Sequence, residues 1–327
     1  MKLFSVIIPT YKGEDSLPVA LESICAQTYK NIEVIVSDDN GLGTASQLST
    51  KKVCDGFRDR LNIIYLANEH VNGSHARNEG LKRAKGEYIS LLDDDDFYLK
   101  EYVEKAVETF EKGADMVFFN VAILTKEGVS RIVRNDEINA VDLLFYHKEI
   151  GTGSNLCFKR KIYDEDGGFD ERYLRSQDIE FTVKKLHRYS SEWIDSLQIV
   201  KFYNRTDNFP DYRKSLEVYS LLREDMSGKG IIDKDTCEKL YIRQLHCLYN
   251  DLLVKKAPVK DIRAVYDLLD EKKNLSFMDR SMYQVYRISK GLFRFVFDTY
   301  MSIKNKNEKN EAAGLLQYRK ELEDKYR

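Results

Sequence analysis

The 327-residue chain has few cysteines, and they do not follow a pattern that builds a site. Its five cysteines are an odd number, and no two of them form a C-x-x-C pair. Disulfide frameworks use even numbers of cysteines, and structural zinc sites use closely spaced pairs. The sequence therefore argues against a disulfide scaffold and against a zinc site. The five histidines also lack zinc spacing, and most of them are expected on the surface or in packing.

The chain also lacks an excess of charge of one sign. Its 52 basic residues nearly balance 54 acidic ones, which leaves a formal net charge of -2. Nucleic-acid-binding domains usually carry a clear basic excess. No nucleic-acid partner is therefore expected.

Long apolar runs are missing as well. A membrane-spanning helix needs about 18 or more consecutive apolar residues, and the sequence has no such run. The apolar stretch at residues 3–9 is short for a signal peptide, and no small-residue cleavage site follows it. We therefore expect the protein in the cytosol.

The most informative feature that is present is a run of four aspartates, Asp93–Asp96, directly after the apolar run Tyr88–Leu92. Adjacent carboxylates repel one another, and a bound hard cation compensates that repulsion. The apolar run predicts a buried strand, and open α/β sheets bind ligands at the carboxyl ends of their strands. The alternative is a solvated turn in which Asp96 caps a helix over residues 97–112. The four aspartates by themselves leave both interpretations open.

Strands and helices alternate over the first 205 residues. Strands are predicted at Leu3–Ile8, Ile32–Ser37, Leu61–Leu66, Glu87–Leu92 and Met116–Ala122. Helical patterns lie between them, and such alternation predicts an α/β fold with a doubly wound, mostly parallel sheet. We assign residues 1–205 to this domain and residues 206–327 to a helical C-terminal region.

One helix of the C-terminal region has an unusual distribution of side chains. Over residues 279–304, Arg280, Arg287, Lys290 and Arg294 share one face, opposite an apolar face rich in aromatic residues. This pattern is typical of a helix that lies on a membrane surface. It also fits a helix that packs on the domain or on a second copy of the chain, with its basic side in water. The last segment, residues 312–327, is expected to be a frayed or partner-bound helix.

The predicted strand ends carry a set of motifs in a characteristic order. P-T-Y follows the first strand, S-D-D follows the second, A-R-N-E-G lies on a helix before the fourth, and L-D-D-D-D ends the fourth. Together they resemble the signatures P-T-Y-N, D-D-G-S, A-R-N-x-G and L-D-x-D-D of family 2 glycosyltransferases, which have the GT-A fold. The resemblance covers about residues 3 to 200. The chain departs from it at Lys12, where the family has Asn, and at Asn40-Gly41, where the family has Gly-Ser.

The resemblance implies a nucleotide-sugar donor site and a divalent cation, Mn²⁺ or Mg²⁺, on Asp95. The implied donor-binding residues are Pro9, Thr10, Tyr11, Glu14, Asp39, Arg77, Asp93 and Asp94. Three of these also have an ordinary structural explanation. A strand-end tyrosine such as Tyr11 often just packs, an aspartate such as Asp39 often bonds its own turn, and Arg77 could form a surface ion pair.

A second segment supplies a candidate general base. The stretch from Gly167 to Phe181 resembles the family's G-G-F-D-x-x-F and E-D-x-x-F motifs, in which the aspartate of the E-D pair is the base. That residue is Asp178, and Gln177 replaces the preceding Glu. The structural alternative is that Asp178 caps a helix over residues 179–186. The Q-x-x-R-W motif of processive members is absent, which favours transfer of a single sugar.

These observations predict a metal-dependent, inverting glycosyltransferase. The expected donor is a UDP-sugar and the expected acceptor a surface glycan or a lipid-linked glycan, reached by a protein at the inner face of the cell membrane. A sugar nucleotidylyltransferase is a rival, but it usually has a G-x-G-x-R loop after the first strand, where this chain has Y-K-G-E. An inactive nucleotide-sugar-binding subunit is a second alternative, because Gln177 stands where the family has glutamate.

Overall fold

The computed structural model describes residues 1–125, 128–203, 211–255, 257–289 and 313–325. The chain divides into two compact units, Met1–Asn204 with Glu308–Arg327, and Arg205–Asn307. The helices within the described residues include none with the length and apolar character required to cross a bilayer.

The first unit is built on a nine-stranded sheet. The strands are β1 (Phe4–Thr10), β2 (Ile32–Asp38), β3 (Asn62–Ala67), β4 (Tyr88–Leu91), β5 (Phe97–Tyr98), β6 (Met116–Thr125), β7 (Gly128–Val133), β8 (Cys157–Lys159) and β9 (Ser191–Phe202).

Helices connect these strands and form the second unit. Those up to residue 203 are α1 (Leu17–Cys25), α2 (Ala45–Phe57), α3 (Gly73–Arg83), α4 (Tyr102–Glu111), α5 (Ala140–Leu144), α6 (Arg160–Asp166) and α7 (Gln177–Leu186), with a 3-10 turn at Gly153–Asn155. The second unit contains α8 (Tyr212–Gly228), α9 (Lys234–Val254), α10 (Val259–Glu271) and α11 (Phe277–Ile288). The last helix, α12 (Ala313–Asp324), belongs to the first unit.

The strand order creates a ligand-binding edge. It runs β3-β2-β1-β4-β8-β6-β9-β5, with β7 paired to β6. Strand β1 is parallel to both β2 and β4, and the chain winds first to one side of β1 and then to the other. Such a reversal of winding leaves a crevice at the carboxyl ends of the strands. The predicted α/β fold with a helical C-terminal region is confirmed. The sheet itself is mixed, because β1 to β4 are parallel to one another whereas β8 pairs antiparallel with both β4 and β6, so the prediction of a mostly parallel sheet holds for β1 to β4 and not for the whole sheet.

The central strands are apolar because both of their faces are covered. All seven residues of β1 are buried, as parallel sheets between helices require. The buried Glu33 in β2 is an exception, and it is satisfied locally. Its Oε1 accepts hydrogen bonds from Ser5 Oγ at 2.6 Å and from the backbone nitrogens of Lys85 and Gly86 at 2.5 and 3.1 Å.

The segment after the aspartates differs from the predicted helix over 97–112. Phe97 and Tyr98 form the short strand β5, which pairs antiparallel with β9, and α4 begins only at Tyr102. Both aromatic side chains are fully buried. The rings of Tyr98 and Tyr102 stack with their centroids 3.6 Å apart. Burial of these rings in the sheet outweighs the local preference for an N-cap at Asp96, so that alternative is wrong.

Helix α12 is neither frayed nor free of tertiary contacts. Leu322 is 8% exposed and packs in a cluster with Val19 of α1 and with apolar residues of β6, β7 and β9. The prediction of a frayed end is therefore wrong, because the apolar side of this helix is buried on the unit that begins the chain.

The second unit encloses its own apolar core, formed by residues of α9, α10 and α11. Tyr283 and Tyr286 of α11 are 3% and 1% exposed in that core, while Arg287 lies on the exposed side. The apolar face of this helix is therefore used in packing over the described part of the predicted segment 279–304. The helix ends at Ile288 and Ser289 has an extended backbone, so the prediction of one continuous helix over 279–304 is wrong. Residues 290–304 lie outside the described residues, so membrane contact by the full segment stays a prediction.

Candidate active site

A cavity of about 320 Å³ opens at the carboxyl ends of the central strands. Its lining consists of Pro9, Thr10, Tyr11, Asp39, His70, Asn72, Gly73, Ala76, Arg77, Asp93, Asp94 and Asp95. Eight of the ten residues selected from the sequence therefore meet in one place, because β1, β2 and β4 deliver their ends to the same edge. The two that do not line it are Glu14 and Asp178.

One end of the cavity is aromatic. The rings of Tyr11 and His70 stack with centroids 4.4 Å apart and an interplanar angle of 11°. Asp39 holds this end together, since its Oδ1 accepts from Val71 N at 3.0 Å and its Oδ2 lies 3.1 Å from His70 Nδ1. Asp39 thus connects the end of β2 to the loop after β3 and is more than a turn residue. A flat, partly exposed aromatic surface beside a carboxylate suits a nucleobase.

His70 was missed by the sequence analysis, which placed the histidines on the surface or in packing. No sequence motif contains His70, and it lines the cavity only because of the position of the loop after β3. His75 lies on α3, directly before the A-R-N-E-G motif. His75 Nδ1 lies 3.2 Å from Glu171 Oε2 and is not part of the cavity lining.

Helix α3 brings an arginine to the other end of the cavity. Asn72 caps this helix by accepting a hydrogen bond from His75 N at 2.9 Å. Arg77 follows about one turn later, and its Nη2 donates to Asp93 Oδ1 at 2.8 Å. The side chains of Arg77 and Asp93 are only 14% and 27% exposed, so this pair is not a solvated surface ion pair.

The four aspartates have different surroundings, although they are adjacent in sequence. Asp94 accepts a hydrogen bond from Thr10 Oγ1 at 2.5 Å. Burial, with smaller contributions from Asp95 and Asp93, raises the pKa of Asp94 to about 7. A carboxyl group with this pKa gains from any cation that enters the cavity.

Asp96 points away from the cavity and has a structural role. It is 1% exposed and accepts hydrogen bonds from Ser154 Oγ at 2.6 Å, Thr152 Oγ1 at 2.8 Å and Phe202 N at 3.1 Å. The loop at residues 151–155 thus anchors the aspartates. Ser154 also accepts from Asp93 N at 3.0 Å.

Asp95 has the properties of a metal ligand. Asp95 lines the cavity, and no side chain in the described parts of the chain donates a hydrogen bond to its carboxylate. Burial, then repulsion from Asp93, raises the pKa of Asp95. A buried carboxylate of this kind fits a hard divalent cation such as Mg²⁺ or Mn²⁺. The residues present therefore fit the cation that the resemblance implied.

Lys201 adds a positive charge from β9, which the sequence analysis did not predict as a strand. Burial lowers the pKa of Lys201, but the surrounding carboxylates outweigh burial and the pKa is raised. The carboxylates that act on it are Asp96, Asp93, Asp178 and Asp95, in order of effect. Lys201 therefore partly neutralises the aspartates and links them electrostatically to α7.

The candidate base lies at the start of α7. Ser176 occupies the N-cap position, so the alternative that Asp178 caps this helix is wrong. Asp178 is in the first turn, where its Oδ1 accepts from Ile179 N at 2.9 Å. The neighbouring Gln177 approaches the cavity, because its Nε2 would lie 3.8 Å from a Cβ placed on the cavity residue Gly73. Asp178 itself is outside the lining of the cavity.

Glu14 makes contacts that point elsewhere. Its Oε1 accepts a hydrogen bond from Ser46 Oγ at 2.8 Å, and its Oε2 is buried without a hydrogen-bond partner among the described residues. It therefore bridges toward α2 rather than into the cavity. Its predicted role in donor binding stays a prediction.

A larger cavity of about 450 Å³ lies elsewhere on the first unit. Its lining consists of Asn78, Lys82, Tyr163, Asp164, Gly167 and Gly168. This lining has neither the aromatic pair nor the cluster of carboxylates. The smaller cavity therefore offers the richer chemistry.

The fold and the cavity define an α/β domain of the GT-A type. The structure is similar to that of S. aureus TarS 1-349 in complex with UDP-GlcNAc, with 17% identity, a TM-score of 0.55 and coverage of 87% of this chain and 91% of that one. It is also similar to the mannosyltransferase PcManGT from Pyrobaculum calidifontis in complex with GDP-Man and Mn²⁺, with 17% identity, a TM-score of 0.53 and coverage of 91% and 88%. At these identities the likeness shows the fold.

The chain belongs to glycosyl transferase family 2, whose family model matches residues 5–167. An uncharacterized glycosyltransferase of Rickettsia bellii is 31% identical over 209 residues, which is 61% of this chain and 29% of that protein. The amylovoran biosynthesis glycosyltransferase AmsB of Erwinia amylovora is 26% identical over 244 residues, 71% of this chain and 80% of AmsB. The chain thus spans less than a third of the rickettsial relative.

Proposed function

We propose that this protein moves one sugar from a nucleotide-sugar, most simply a UDP-linked hexose or N-acetylhexosamine, to a hydroxyl group of a glycan acceptor. The observation that carries the proposal is the composition of the 320 Å³ cavity. Its aromatic end suits a base, and its other end combines Arg77 with the carboxylates. A nucleotide-sugar has a base at one end and a diphosphate at the other, so the two ends of cavity and ligand correspond.

The donor site would be assembled from residues already in position. Tyr11 and His70 would stack on the base, and Asp39 would accept a hydrogen bond from its edge. Arg77 would exchange part of its pairing with Asp93 for the diphosphate, because guanidinium groups bind phosphate oxygens in the same planar manner as carboxylates. The structures of TarS and PcManGT were determined with UDP-GlcNAc and GDP-Man, which supports a nucleotide-sugar as donor.

The proposed chemical step is a single in-line displacement with inversion at the anomeric carbon. The acceptor oxygen forms a bond to that carbon, the bond from the carbon to the diphosphate oxygen breaks, and the electron pair leaves with the nucleoside diphosphate. The acceptor hydroxyl proton passes to the carboxylate of Asp178, which acts as general base. Asp178 and three of the aspartates at the end of β4 raise the pKa of Lys201, which keeps its positive charge.

A divalent cation, Mn²⁺ or Mg²⁺, would be held by Asp95 and, when bound, would stabilise negative charge on the diphosphate oxygens. The chain's own contribution is to hold that carboxylate inside a partly buried cavity. Asp94 stays fixed beside it through the hydrogen bond from Thr10. The complex of PcManGT with Mn²⁺ supports such a cation.

The acceptor is proposed to be a growing surface glycan. AmsB, which matches 71% of the chain, is named for the biosynthesis of the polysaccharide amylovoran. A lipid-linked acceptor at the inner face of the cell membrane is compatible with the basic segment 279–304.

The test is a panel of nucleotide-sugars incubated with the full chain and a glycan acceptor mixture, with or without EDTA. We expect release of one nucleoside diphosphate above background, dependent on Mn²⁺ or Mg²⁺ and increased by acceptor. Release that is the same for every donor and unaffected by EDTA would contradict the proposal.

A nucleotide-sugar-binding subunit without turnover is the second candidate function. It is favoured by Gln177, which replaces the family's glutamate next to Asp178, and by the hydrogen bond that occupies one oxygen of Asp178. The two functions are separated by calorimetry with UDP. Tight metal-dependent binding of UDP without any turnover in the panel would establish the second.

A further inference from the structure

The last helix of the chain packs next to the candidate active site. Tyr318 of α12 contacts Phe97 of β5, with ring centroids 5.8 Å apart. Lys325 pairs with Glu22 of α1 at 2.7 Å, and Leu322 is buried in the apolar cluster described above. Three separate contacts thus fix α12 on the first unit.

Arg319 extends from this helix toward the aspartates. It is 5% exposed, and its Nη1 donates a hydrogen bond to the backbone oxygen of Asp95 at 3.0 Å. Its guanidinium carbon lies 3.6 Å from the ring centroid of Phe202, and its Nε donates to Glu323 Oε1 at 2.7 Å. Arg319 and Asp95 are 224 residues apart in the sequence.

Arg319 stabilises the turn that carries the aspartates in two ways. Arg319 holds the carbonyl of Asp95 directly. It also packs on Phe202, whose backbone nitrogen donates to Asp96. The buried guanidinium group is held by three contacts, with Asp95, Phe202 and Glu323. A planar group held in this way restricts the position of the carbonyl to which it donates. Its charge also acts on the Asp95 carboxylate, which is the ligand position of the proposed cation.

We infer that Arg319 is a positioning residue for the proposed transfer, and that α12 is part of the catalytic unit. Arg319 does not line the cavity. It acts through Asp95, by fixing the backbone of that residue where it lines the cavity. This inference rests on the proposed function for its meaning, but its test does not require turnover.

The test compares Arg319→Met and Arg319→Lys with the wild type in the full chain. Methionine preserves packing on Phe202 but removes the charge and the donor, whereas lysine retains both in a less rigid form. Lys320→Met is the matched control, because Lys320 lies on the same helix with its side chain exposed. Binding of Mn²⁺ is measured by the loss of the free-ion signal in electron paramagnetic resonance. Hydrogen exchange is measured for the peptide covering residues 92–98.

We expect Arg319→Met to weaken Mn²⁺ binding about 10-fold, the usual scale for loss of a group that orients a metal ligand. Exchange in residues 92–98 should accelerate, while exchange in β2 stays unchanged. Arg319→Lys should recover part of both effects, and Lys320→Met should resemble the wild type.

The inference is overturned if Arg319→Met and Lys320→Met bind Mn²⁺ equally well, or if exchange in residues 92–98 is the same in both. Faster exchange without weaker Mn²⁺ binding would also overturn it, because α12 would then be a packing element. Failure of the proposed function would appear instead as a wild type that releases no nucleoside diphosphate in the donor panel. The Mn²⁺ and exchange comparisons would still decide the role of Arg319.

Discussion

Asp178 is the residue on which the chemical step of the proposed transfer depends. We expect Asp178→Asn to leave UDP binding nearly unchanged and to lower turnover on the order of 10²-fold or more, as loss of a general base usually does. Initial rates of UDP release at saturating donor, together with calorimetry of UDP binding, check both parts. Normal turnover would place the base elsewhere, with Glu180 the next candidate, and an unfolded variant would make Asp178 a structural residue.

Asp96 is predicted to affect stability rather than ligand binding. Asp96→Ala leaves the backbone nitrogen of Phe202 and two hydroxyl groups without their acceptor, which should cost roughly 2–4 kcal/mol of unfolding free energy. Asp96→Asn keeps an acceptor for Phe202 and should retain most of the stability. Chemical denaturation of both variants measures the difference. Equal stability of Asp96→Ala and wild type would show that these hydrogen bonds contribute nothing net.

The resemblance assigned Asp95 to a cation and Asp93 and Asp94 to the donor, but the sequence did not predict the surroundings that distinguish the four aspartates. Adjacent residues at a strand end point in different directions, so Asp94, Asp95 and Asp96 meet three different environments. Those environments are created by Thr10, Ser154 and Arg319, which are distant in sequence. His70 and Lys201 were missed for the same reason, because no motif marks a residue that tertiary structure alone brings to a site.

At the scale of elements, the packing of α3 on β1 requires a small residue. A Cβ added at Gly80 would lie 2.4 Å from Ile7 Cγ2, so Gly80→Ala forces α3 away from the sheet. We expect a loss of about 1–3 kcal/mol, typical of overpacking. Gly56→Ala in α2 is the control, since nothing lies within 4 Å of its added Cβ, and it should stabilise by about 0.5–1 kcal/mol.

Thermal unfolding of the two glycine variants tests this account of the α3–β1 contact. Opposite shifts in the midpoint, downward for Gly80→Ala and upward for Gly56→Ala, are expected. A downward shift of equal size in both would contradict it, because the effect would then not depend on the space around each glycine.

Elements with strong local patterns were predicted well, and elements that depend on partners were not. The continuous apolar runs of β1, β2 and β4 identify buried parallel strands from sequence. Strand β5 has only two residues and forms because β9 pairs with it. Strand β9 alternates irregularly between exposed and buried residues, so no periodicity marks it.

At the scale of the whole molecule, the basic segment 279–304 carries the prediction of membrane contact. Cations near an anionic bilayer contribute about 1 kcal/mol each, so the protein should cosediment with anionic vesicles at low salt and less at high salt. Replacing Arg280, Arg287 and Arg294 with glutamate should release it while leaving transfer to a free acceptor intact. Arg280 pairs with Asp270 at 2.9 Å, so part of its effect is lost to that contact.

The matched control replaces three exposed lysines of the same unit, Lys214, Lys229 and Lys260, with glutamate. This control variant changes the net charge by the same amount as the triple arginine variant, but at positions outside the segment 279–304. Equal release by both triple variants would indicate a general charge effect. A wild type that ignores anionic vesicles at low salt would remove the support for a lipid-linked acceptor.

The most direct test of the central claim is calorimetric titration of the full chain with UDP in the presence of Mn²⁺. The account predicts a single site whose affinity falls at least about 10-fold in EDTA or in Asp95→Ala, since the diphosphate then loses its cation. Asp164→Ala, in the larger cavity, should bind as the wild type does. Binding of UDP that is unaffected by EDTA and by Asp95→Ala, or that is abolished by Asp164→Ala, would contradict the assignment of the donor site.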